Sequence, residues 1–583
     1  MLDAHVPMDR ALLDAWRVRV ERAGTRLKWV HRRSVARKHA GGTLLAIAAP
    51  YDQLFLATEV NEWALCSALH ESDPSRWVGL EAALIAEALE AAEDSPALPA
   101  DLRPVLDEAA ALARFERLAS QESHPKLRAL LDAAGARGLP HVLDESELTL
   151  GSGVGGRSFA LTALPDAADV PWPELHDIPT VIVTGSNGKT TTVRLLAACA
   201  RNHGWHAGFN CTDGVFLDDD VLATGDYSGP AGARWVLRER RTQAAMLETA
   251  RGGILRRGIA VSQADVAVIT NVSADHFGEY GIDDLAGLAD VKLTVAAVVD
   301  QSGMLVLNAD DAQLRERADD LVRRFERRPP LGWFAVGVDQ ETLRSYGRRG
   351  DSICGVRQGR LHLSHDGADH DLGLISAMPL SMDGIATYNV ANMAGAALAA
   401  AGLGIAPATI AAVFARFGSN AKDNPGRMMR FAVGGATVLV DYAHNPAGLR
   451  GFLNVAVHLR ASNGRLGILL GHAGNRQDAD IAELTRVALE FRPDLIVVKE
   501  DEGHLRGRAP GEIPRIIHAE LQRLGFPESK MPICNSEIDA VRCALDWARP
   551  GDMLALPVHS ASARAAVVAM LEKPTGNEYN DHK

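Results

Sequence analysis

Short apolar runs alternate with stretches of helical periodicity along most of this chain. The clearest run, Thr180–Thr184, is rich in β-branched residues and is followed by a glycine loop and a helical pattern that begins near Thr190. Similar runs occupy Val266–Thr270, Met304–Leu307, Val438–Val440, Leu466–Leu470, Leu495–Val498 and Met553–Leu556. Such runs are typical of strands buried on both faces of a parallel sheet. The pattern therefore predicts an α/β fold with a mainly parallel sheet covered by helices.

Two other regions follow different patterns. Early in the chain, two apolar runs of strand length, Leu44–Ala49 and Leu54–Ala57, mix with helix-like segments such as Leu80–Glu93. Residues 331–380 are richer in glycine and in short alternations, which predicts antiparallel strands. A helix is expected over Asn389–Leu403.

Segments rich in glycine and proline mark the expected passages between domains. Gly151–Gly156 with Pro171 and Pro173 forms one such segment, and Asn424–Arg427 forms another. With 583 residues the chain is too long for a single core. We expect a small α+β domain over residues 1–165, a central parallel-sheet domain over 175–427 and a Rossmann-like domain over 428–583.

The composition is that of a globular protein, with 47% hydrophobic and 23% charged residues. The first residues are polar and no apolar run is long enough to span a bilayer, so a cytoplasmic protein without membrane contact is expected. The six cysteines are scattered, which indicates reduced thiols. The formal net charge of −13 argues against nucleic-acid binding. The basic stretch Arg17–Lys38 would either hold an acidic polymer or partner, or form a solvated face.

The segment Gly185–Thr190, Gly-Ser-Asn-Gly-Lys-Thr, carries the strongest chemical signal. Its glycines let the backbone curl so that several N–H groups face one anion, and the following helix adds its positive N-terminal end. Lys189 would reach the β- and γ-phosphates of ATP, and the Thr190 hydroxyl would lie on Mg²⁺. The residues expected to bind the nucleotide here are Gly185, Ser186, Asn187, Gly188, Lys189, Thr190 and Thr191.

The loop resembles the form found in the Mur ligase family, because Val183 stands where the general phosphate-binding loop has a glycine. Further segments resemble motifs of that family, in the same order along the chain: Glu248–Gly258, Thr270–His276, Lys292, Leu307–Asp311 and Asp441–Pro446. The resemblance implies the Mur-ligase architecture, with ATP and Mg²⁺ as cofactors.

Several segments are most similar to the polymer-extending half of cyanophycin synthetases: Glu248–Gly258, Asn424–Arg427 and Glu500–Glu512. Glu59–Ala64 and Leu130–Leu148 resemble the small N-terminal domain of those enzymes. Between Gly156 and Thr180 there is no room for the ATP-grasp domain that cyanophycin synthetases carry there. A separate ATP-grasp ligase is therefore expected as a partner, and the resemblance implies a homo-oligomer.

The resemblance also implies metal ligands. Thr190 and Glu248 would hold one magnesium ion. His276 would hold a second one together with Lys292, which must be carbamylated for this role because a protonated lysine cannot bind a cation.

On the nucleotide side, the resemblance implies contacts from two domains. Arg427, Asp441 and His444 would come from the third domain and meet the nucleotide on closure, with Arg427 either offsetting phosphate charge or forming a hinge salt bridge. Asn308 and Asn389 lie in nucleotide-side motifs of the central domain. Tyr388, however, replaces the histidine of the family's H-N-x-x-N motif.

Substrate contacts are expected in two places. Thr212, Asp213 and Arg251 are predicted on the acceptor side of the central domain. In loops of the third domain, the incoming amino acid would meet Asn475, Arg476, Glu500, Arg506 and Arg508. The acidic run Glu500–Glu502 would pair with a cationic amine such as that of arginine or lysine, or it is a solvated loop.

The resemblance implies a ligase that phosphorylates an acceptor carboxylate, joins it to an amine and releases ADP and phosphate. In cyanophycin synthetases this half joins arginine to a β-aspartyl carboxylate, so an isopeptide bond between those groups is the specific expectation. The alternatives are a ligase acting on a small peptide or folate-like acceptor, and a non-catalytic ATP-binding subunit that is a scaffold or regulator of a full-length synthetase.

Overall fold

The computed structural model describes residues 1–5, 8–39, 41–72, 108–274, 277, 279–325, 329–337, 340–474, 476–501, 503 and 505–572. The contacts between residues divide the chain into two compact units. The first comprises Met1–Gly138, Phe159–Pro171 and Phe277–Asp283, and the second comprises Leu139–Ser158, Trp172–His276 and Asp284–Lys583. Among the described residues, no helix is both long and apolar enough to cross a membrane.

The first unit combines a small antiparallel sheet with helices. Its elements are β1 (Leu2–Ala4), α1 (Arg10–Arg26), β2 (Ser34–His39), β3 (Gly42–Ile47), α2 (Leu54–Ser72), α3 (Glu108–Glu122) and α4 (Pro125–Gly135). The strand order is β1-β3-β2. Trp16 and Trp63 are buried, and the Trp63 ring meets the Phe115 ring edge-on at 5.6 Å. Aromatic side chains of α1, α2 and α3 therefore form the centre of this core.

The run Leu54–Ala57 begins helix α2, so the expectation of a strand there is wrong. The helix continues to Ser72, and the apolar run is only its first turn. Four apolar residues look alike in a strand and in a buried helix, and only the longer context distinguishes the two. The run Leu44–Ala49 overlaps β3, as predicted, whereas Leu80–Glu93 lies outside the described residues.

Arginines of the basic stretch pair with acidic side chains of a neighbouring helix. Arg22 contacts Glu108 at 3.1 Å, and Arg26 contacts Glu116 at 2.7 Å. Exposed pairs of this kind contribute little to stability. They do neutralise part of the positive charge, which favours a solvated face over a polymer-binding surface.

A small sheet of β4 (His141–Leu143), β5 (Glu147–Leu150) and β6 (Arg157–Ala160) precedes the large sheet in the sequence. The elements of the large sheet and its helices are β7 (Thr180–Thr184), α5 (Lys189–His203), β8 (Ala207–Cys211), β9 (Gly214–Leu217), β10 (Asp220–Thr224), α6 (Pro230–Arg238), β11 (Ala244–Glu248), α7 (Arg251–Arg257), β12 (Ala264–Ile269), α8 (Leu285–Lys292), β13 (Val299–Asn308), α9 (Ala312–Ala318), α10 (Leu321–Phe325), β14 (Leu331–Ala335), α11 (Gln340–Arg348), β15 (Ser352–Arg357), β16 (Arg360–His365), β17 (Ala368–Leu374), α12 (Thr387–Gly402) and α13 (Pro407–Phe414).

The large sheet has the order β10-β9-β8-β11-β7-β12-β13-β14-β15-β16-β17. Its strands from β8 to β15 pair in parallel, and antiparallel pairs close both edges. The predicted α/β class and the predicted buried strands are confirmed. Antiparallel strands are confirmed within residues 331–380 for β15 to β17, whereas β14 in the same section pairs in parallel. Its residues are fully buried, so it belongs to the parallel part.

Helix α12 packs closely on the large sheet because its buried face consists mostly of alanine and glycine. A Cβ on Gly395 would press against the Phe334 ring, and one on Gly402 would collide with Met304. Small side chains let the helix axis approach the sheet, so the core is dense here. The predicted helix over Asn389–Leu403 is thereby confirmed.

A six-stranded sheet with its helices follows the large sheet in the sequence, with β18 (Met429–Val433), β19 (Ala436–Asp441), α14 (Pro446–Leu459), β20 (Leu466–Leu470), α15 (Asp478–Glu490), β21 (Leu495–Lys499), α16 (Glu512–Arg523), β22 (Ile533–Cys534), α17 (Glu537–Trp547), β23 (Met553–Pro557) and α18 (Ala561–Leu571). Its order is β18-β19-β23-β20-β21-β22, and only the β18–β19 pair is antiparallel. Residues 180–425 are called the middle module below, and residues 426–571 the C-terminal module.

Candidate active site

The carboxyl ends of parallel strands from both modules border one cleft. The phosphate loop follows β7, Thr212 follows β8, Glu248 ends β11, and Tyr442–His444 follows β19. Ligands of open α/β sheets bind at this edge, where the strand connections diverge. The cleft has a volume of about 320 Å³. The predicted residues that line it are Ser186, Asn187, Gly188, Lys189, Thr190, Thr191, Thr212, Glu248, Asn389, Arg427, Asp441 and His444.

Two glycines give the phosphate loop its shape. Gly185 has a φ of +147° and Gly188 a φ of +86°, a region that favours glycine. A Cβ on Gly185 would collide with the Thr270 hydroxyl, and one on Gly188 would collide with the Asn392 amide. Helix α5 begins at Lys189, and its first N–H groups have no acceptor within the helix. They are therefore suited to a bound anion.

The loop that follows β12 braces the phosphate loop. The Asn187 N–H donates to Oδ1 of Asn271 at 3.1 Å, and the Asn271 amide donates back to the Asn187 carbonyl at 3.0 Å. The Ser186 hydroxyl donates to the Ser273 carbonyl at 2.9 Å, and the Ser273 N–H donates to the Ser186 hydroxyl at 3.0 Å. Sequence analysis assigned this segment to metal binding and missed its bracing contacts. Asparagine and serine directly after a buried strand were the available signal.

Oxygen atoms of Thr190, Thr212 and Glu248 lie together in the cleft. Oγ1 of Thr190 donates to Glu248 Oε2 at 2.8 Å, and Oγ1 of Thr212 donates to Oε1 at 3.3 Å. Burial raises the pKa of the Glu248 carboxyl, and the Lys189 charge and the Thr190 hydrogen bond oppose that shift. Hydroxyl and carboxylate oxygens are ligands that Mg²⁺ prefers, together with water and phosphate oxygens. These residues fit a magnesium ion that binds with a nucleotide.

The structure describes only one of the two residues predicted to bind the second magnesium ion. His276 lies outside the described residues. Lys292 ends helix α8 and is buried, with 2% of its surface exposed. Within the described part of the chain, no group of three or more His, Cys, Asp or Glu residues forms a metal site. The roles of His276 and Lys292 stay predictions.

On the C-terminal side of the cleft, Arg427 lies over the Tyr442 ring. The distance from Arg427 Cζ to the ring centre is 4.2 Å, and the His444 ring centre lies 5.1 Å from the same ring. An arginine stacked on an aromatic face keeps its charge and its hydrogen-bond donors. Arg427 therefore contributes a positive charge to the cleft that the phosphate loop also lines.

Asp441 organises this side through backbone contacts. Its carboxylate accepts hydrogen bonds from the N–H groups of Met428 at 2.7 Å and Ala443 at 2.8 Å. Burial raises the pKa of the Asp441 carboxyl, and the charge of Arg427 opposes that shift. Because it holds the chain neighbours of Arg427 and Tyr442, Asp441 positions both, and its nucleotide contact stays a prediction.

Two protein-family models match this chain. The Mur ligase middle domain matches residues 183–400, and the Mur ligase glutamate ligase domain matches residues 426–556. A relative from Alkalilimnicola ehrlichii, UDP-N-acetylmuramoyl-L-alanyl-D-glutamate--2,6-diaminopimelate ligase, is 30% identical over 380 residues, covering 64% of this chain and 69% of that protein. The chain belongs to the Mur ligase family.

This Mur ligase family member is also similar to cyanophycin synthetases. The protein of that name from Synechocystis sp. is 35% identical over 399 residues, covering 68% of this chain and 44% of that protein. The one from Geminocystis herdmanii is 36% identical over 352 residues, covering 60% of this chain and 39% of that protein. The match spans less than half the length of these curated relatives.

The predicted nucleotide-side asparagines of this Mur ligase family member make internal contacts. Asn389 donates to the Leu380 carbonyl at 3.1 Å and accepts from the Asn392 amide at 3.3 Å. Asn308 lies outside the cleft lining, and its amide donates to the Thr270 carbonyl at 2.9 Å. Asn308 therefore ties the end of β13 to the end of β12, which holds the bracing loop in place.

Most predicted substrate residues lie away from the cleft lining, with Thr212 as the exception. Those outside it are Asp213, Arg251, Arg476, Glu500, Arg506 and Arg508, and Asn475 lies outside the described residues. The Asp213 carboxylate contacts Arg564 at 2.6 Å and Arg194 at 3.3 Å. Burial by itself would raise the pKa of this carboxyl, but the charges of Arg427, Arg564 and Arg194 outweigh it and lower the pKa.

The predicted amino-acid loop after β21 is held by Arg508. Its guanidinium donates to the Gly474 carbonyl at 3.0 Å and pairs with Asp478 at 2.7 Å. Glu500 accepts from the Gly511 N–H through Oε2. The other oxygen, Oε1, is buried without a hydrogen-bond partner among the described residues. Arg508 thus braces the loop, and the role of Glu500 in binding the amino acid stays a prediction.

Two contacts that sequence analysis missed join the modules. Asn445 donates to Asn187 Oδ1 of the phosphate loop at 3.0 Å, while its own Oδ1 caps helix α14. Arg564 of helix α18 reaches Asp213, which is 351 positions earlier in the chain. No local sequence pattern marks such pairs, because each partner is an ordinary polar residue in its own segment.

Proposed function

We propose that this Mur ligase family member is an ATP-dependent, ADP-forming ligase that joins an acceptor carboxylate to the amine of an amino acid. One observation carries the proposal. Lys189, the Thr190–Glu248 pair, Arg427 and His444 line one cleft although they come from two modules, each built on its own sheet. Positive charge and oxygens suited to Mg²⁺ thus lie in one cleft, which supports binding of a triphosphate and a carboxylate there.

The chemistry requires activation of the carboxylate. A carboxylate oxygen attacks the γ-phosphorus of ATP, the bond to the β-phosphate oxygen breaks, and an acyl phosphate and ADP form. The amine then attacks the acyl carbon, phosphate leaves, and the amine loses a proton to solvent. Neither step needs a covalent bond to the protein, so the residues act by neutralising charge, aligning groups and excluding water.

Residues of the middle module would bind the nucleotide. The first N–H groups of α5 and the Lys189 ammonium would hold the β- and γ-phosphates. Thr190 and Glu248 would hold Mg²⁺, which neutralises phosphate charge when bound. Arg427 would add a positive charge from the C-terminal module.

The specific substrates are proposed from two sources. The resemblance to cyanophycin synthetases favours a β-aspartyl acceptor and arginine as the incoming amino acid, joined by an isopeptide bond. Independently, the buried oxygen Oε1 of Glu500 lacks a hydrogen-bond partner among the described residues and suits a cationic side chain. We further propose that a separate ATP-grasp ligase supplies the acceptor.

A turnover assay tests the proposal. Purified protein is incubated with ATP and Mg²⁺, each of the twenty amino acids and β-aspartyl acceptors, and release of ADP and phosphate is measured. The expected result is turnover that depends on one amine and one acceptor and disappears in Lys189→Ala. If ATP binds but no pair of substrates stimulates turnover, the ligase assignment is wrong, and a scaffold or regulatory subunit becomes the better description.

A further inference from the structure

An ion pair outside the cleft lining links the modules beside the acceptor-side turn. Asp213 lies in the turn between β8 and β9, directly after the cleft residue Thr212. Its Oδ1 contacts Arg564 Nη2 at 2.6 Å, and its Oδ2 contacts Arg194 Nη2 at 3.3 Å. Both arginine side chains have 9% of their surface exposed, so water does little to screen the contact.

The Arg564 guanidinium spans two segments. While Nη2 holds Asp213, Nη1 donates to the His559 carbonyl at 2.5 Å, in the loop that leads from β23 into α18. A guanidinium is a rigid planar fork, so its two ends cannot shift independently. If the C-terminal module moved away from the turn, the guanidinium would therefore lose either its contact with Asp213 or its hydrogen bond to the His559 carbonyl.

Arg564 also packs against the segments that carry cleft residues. Its Cζ lies 5.1 Å from the centre of the Tyr442 ring, which Arg427 also contacts. Gly426 has a φ of +69°, and a Cβ there would lie 2.6 Å from Arg564 Cδ. The residue before Arg427 must therefore be small for Arg564 to occupy this position.

From this geometry we propose that Arg564 is a positioning residue for the ligase reaction. By clamping the Asp213 turn to the C-terminal module, it sets the separation between the Thr212–Glu248 oxygens and the Arg427–Tyr442 pair. Arg564 is not among the residues that line the cleft, so its effect passes through the placement of other groups. The catalytic part of this inference rests on the proposed function.

A double-mutant cycle tests the coupling. Arg564→Gln and Asp213→Asn should each lower kcat for ADP release by about 10-fold to 100-fold, with ATP affinity changed by less than about 2-fold. The double variant should be no slower than the slower single variant, because the Asp213–Arg564 contact is lost in each of the three variants. Arg564→Lys should recover only part of kcat, since an ammonium keeps the charge but lacks the fork. Effects that multiply in the double variant would overturn the proposal.

Arg465 offers a matched control inside the C-terminal module. It pairs with Asp552 at 2.5 Å and stacks over Trp547 at 3.9 Å, without reaching the middle module. Arg465→Gln should lower thermal stability and leave kcat close to that of the wild type. If Arg564→Gln gives the same pattern, the cross-module pair is only structural and the inference fails.

Hydrogen exchange of the full chain separates this inference from the proposed function, because it needs no turnover. The backbone amides of residues 212–214 should exchange faster in Arg564→Gln than in wild type, and at the wild-type rate in Arg465→Gln. Unchanged exchange in Arg564→Gln would overturn the clamp even if the wild type is an active ligase. Faster exchange in Arg564→Gln, combined with no turnover by the wild-type chain, would establish the clamp and overturn its catalytic role.

Discussion

The two sides of the cleft are built in different ways. On the middle side, the phosphate loop is braced by Asn271 and Ser273, so its shape depends on contacts within one module. On the C-terminal side, Arg427 lies just before β18 of the other sheet and borders the same cleft as the loop only because the two modules pack together. The middle side is therefore preformed for phosphate, whereas the complete site exists only when the modules are docked. Substitutions on the two sides should consequently differ in their effects on kcat and on stability.

The largest effect is expected on the preformed side. Lys189→Ala should lower kcat for ADP release by about 100-fold to 1,000-fold, because the proposed role of Lys189 is to bring a positive charge to the transferred phosphoryl group. Steady-state ADP release measures this effect. Lys422→Ala, at an exposed lysine outside the cleft lining, is the matched control and should keep wild-type activity. Equal activity of both variants would contradict a phosphate-binding role for Lys189.

A smaller effect is expected where the modules meet. Asn445→Ser keeps a side-chain oxygen that can cap α14 but loses the amide that donates to Asn187. We expect kcat to fall by about 10-fold, the equivalent of one lost hydrogen bond, with the melting temperature nearly unchanged. Kinetics and calorimetry on the same sample check both parts. A drop in stability without a drop in kcat would assign Asn445 to helix capping alone.

A buried histidine of the C-terminal module should make stability depend on pH. Burial, reinforced by the charge of Lys499, lowers the pKa of His559 well below 6.5. Asp501 lies 3.9 Å away, and Nε2 of the His559 ring donates to the Ala443 carbonyl at 3.1 Å. Because the unfolded chain takes up a proton near pH 6.5 and the folded chain does not, stability is lost as the pH falls below that value.

The size of this loss approaches about 1.4 kcal/mol per pH unit below the unfolded pKa, the limit for one proton. As the pH is lowered from 7.5 to 5.5, the melting temperature should therefore fall more steeply for wild type than for His559→Gln. The other titrating groups are the same in both proteins, so the difference between the two curves reports on His559. Parallel curves for the two proteins would show that His559 does not carry the dependence.

The smallest effect is expected at Tyr388, whose ring packs against Gly451 of the C-terminal module. Its hydroxyl is buried without a hydrogen-bond partner among the described residues. Tyr388→Phe removes an unsatisfied polar group and should stabilise the protein by up to about 1 kcal/mol, with kcat unchanged. Thermal unfolding and ADP release test the two statements. Lower stability would show that the hydroxyl has a partner in the folded protein, and lower kcat would reveal a contact that forms during the reaction.

Local patterns predicted much of the fold because the relevant forces act over a few residues. The run Thr180–Thr184 matches β7, and Leu466–Leu470 matches β20, since buried parallel strands need continuous apolar side chains. The phosphate loop was predicted from its glycines and the lysine after them. The run Leu54–Ala57 was mistaken for a strand, because four apolar residues fit either periodicity.

The sequence by itself determined the α/β class, the positions of several buried strands and the residues of the phosphate loop. Tertiary structure alone decided which polar side chains meet: that Asp213 faces Arg564, that Asn445 reaches Asn187, and that Asp441 binds backbone N–H groups. A hydrogen bond or ion pair depends on the distance between two groups, and for residues hundreds of positions apart that distance is set by how whole sheets pack. The periodicity of apolar residues along the chain does not contain that distance, so it could not be predicted from the sequence.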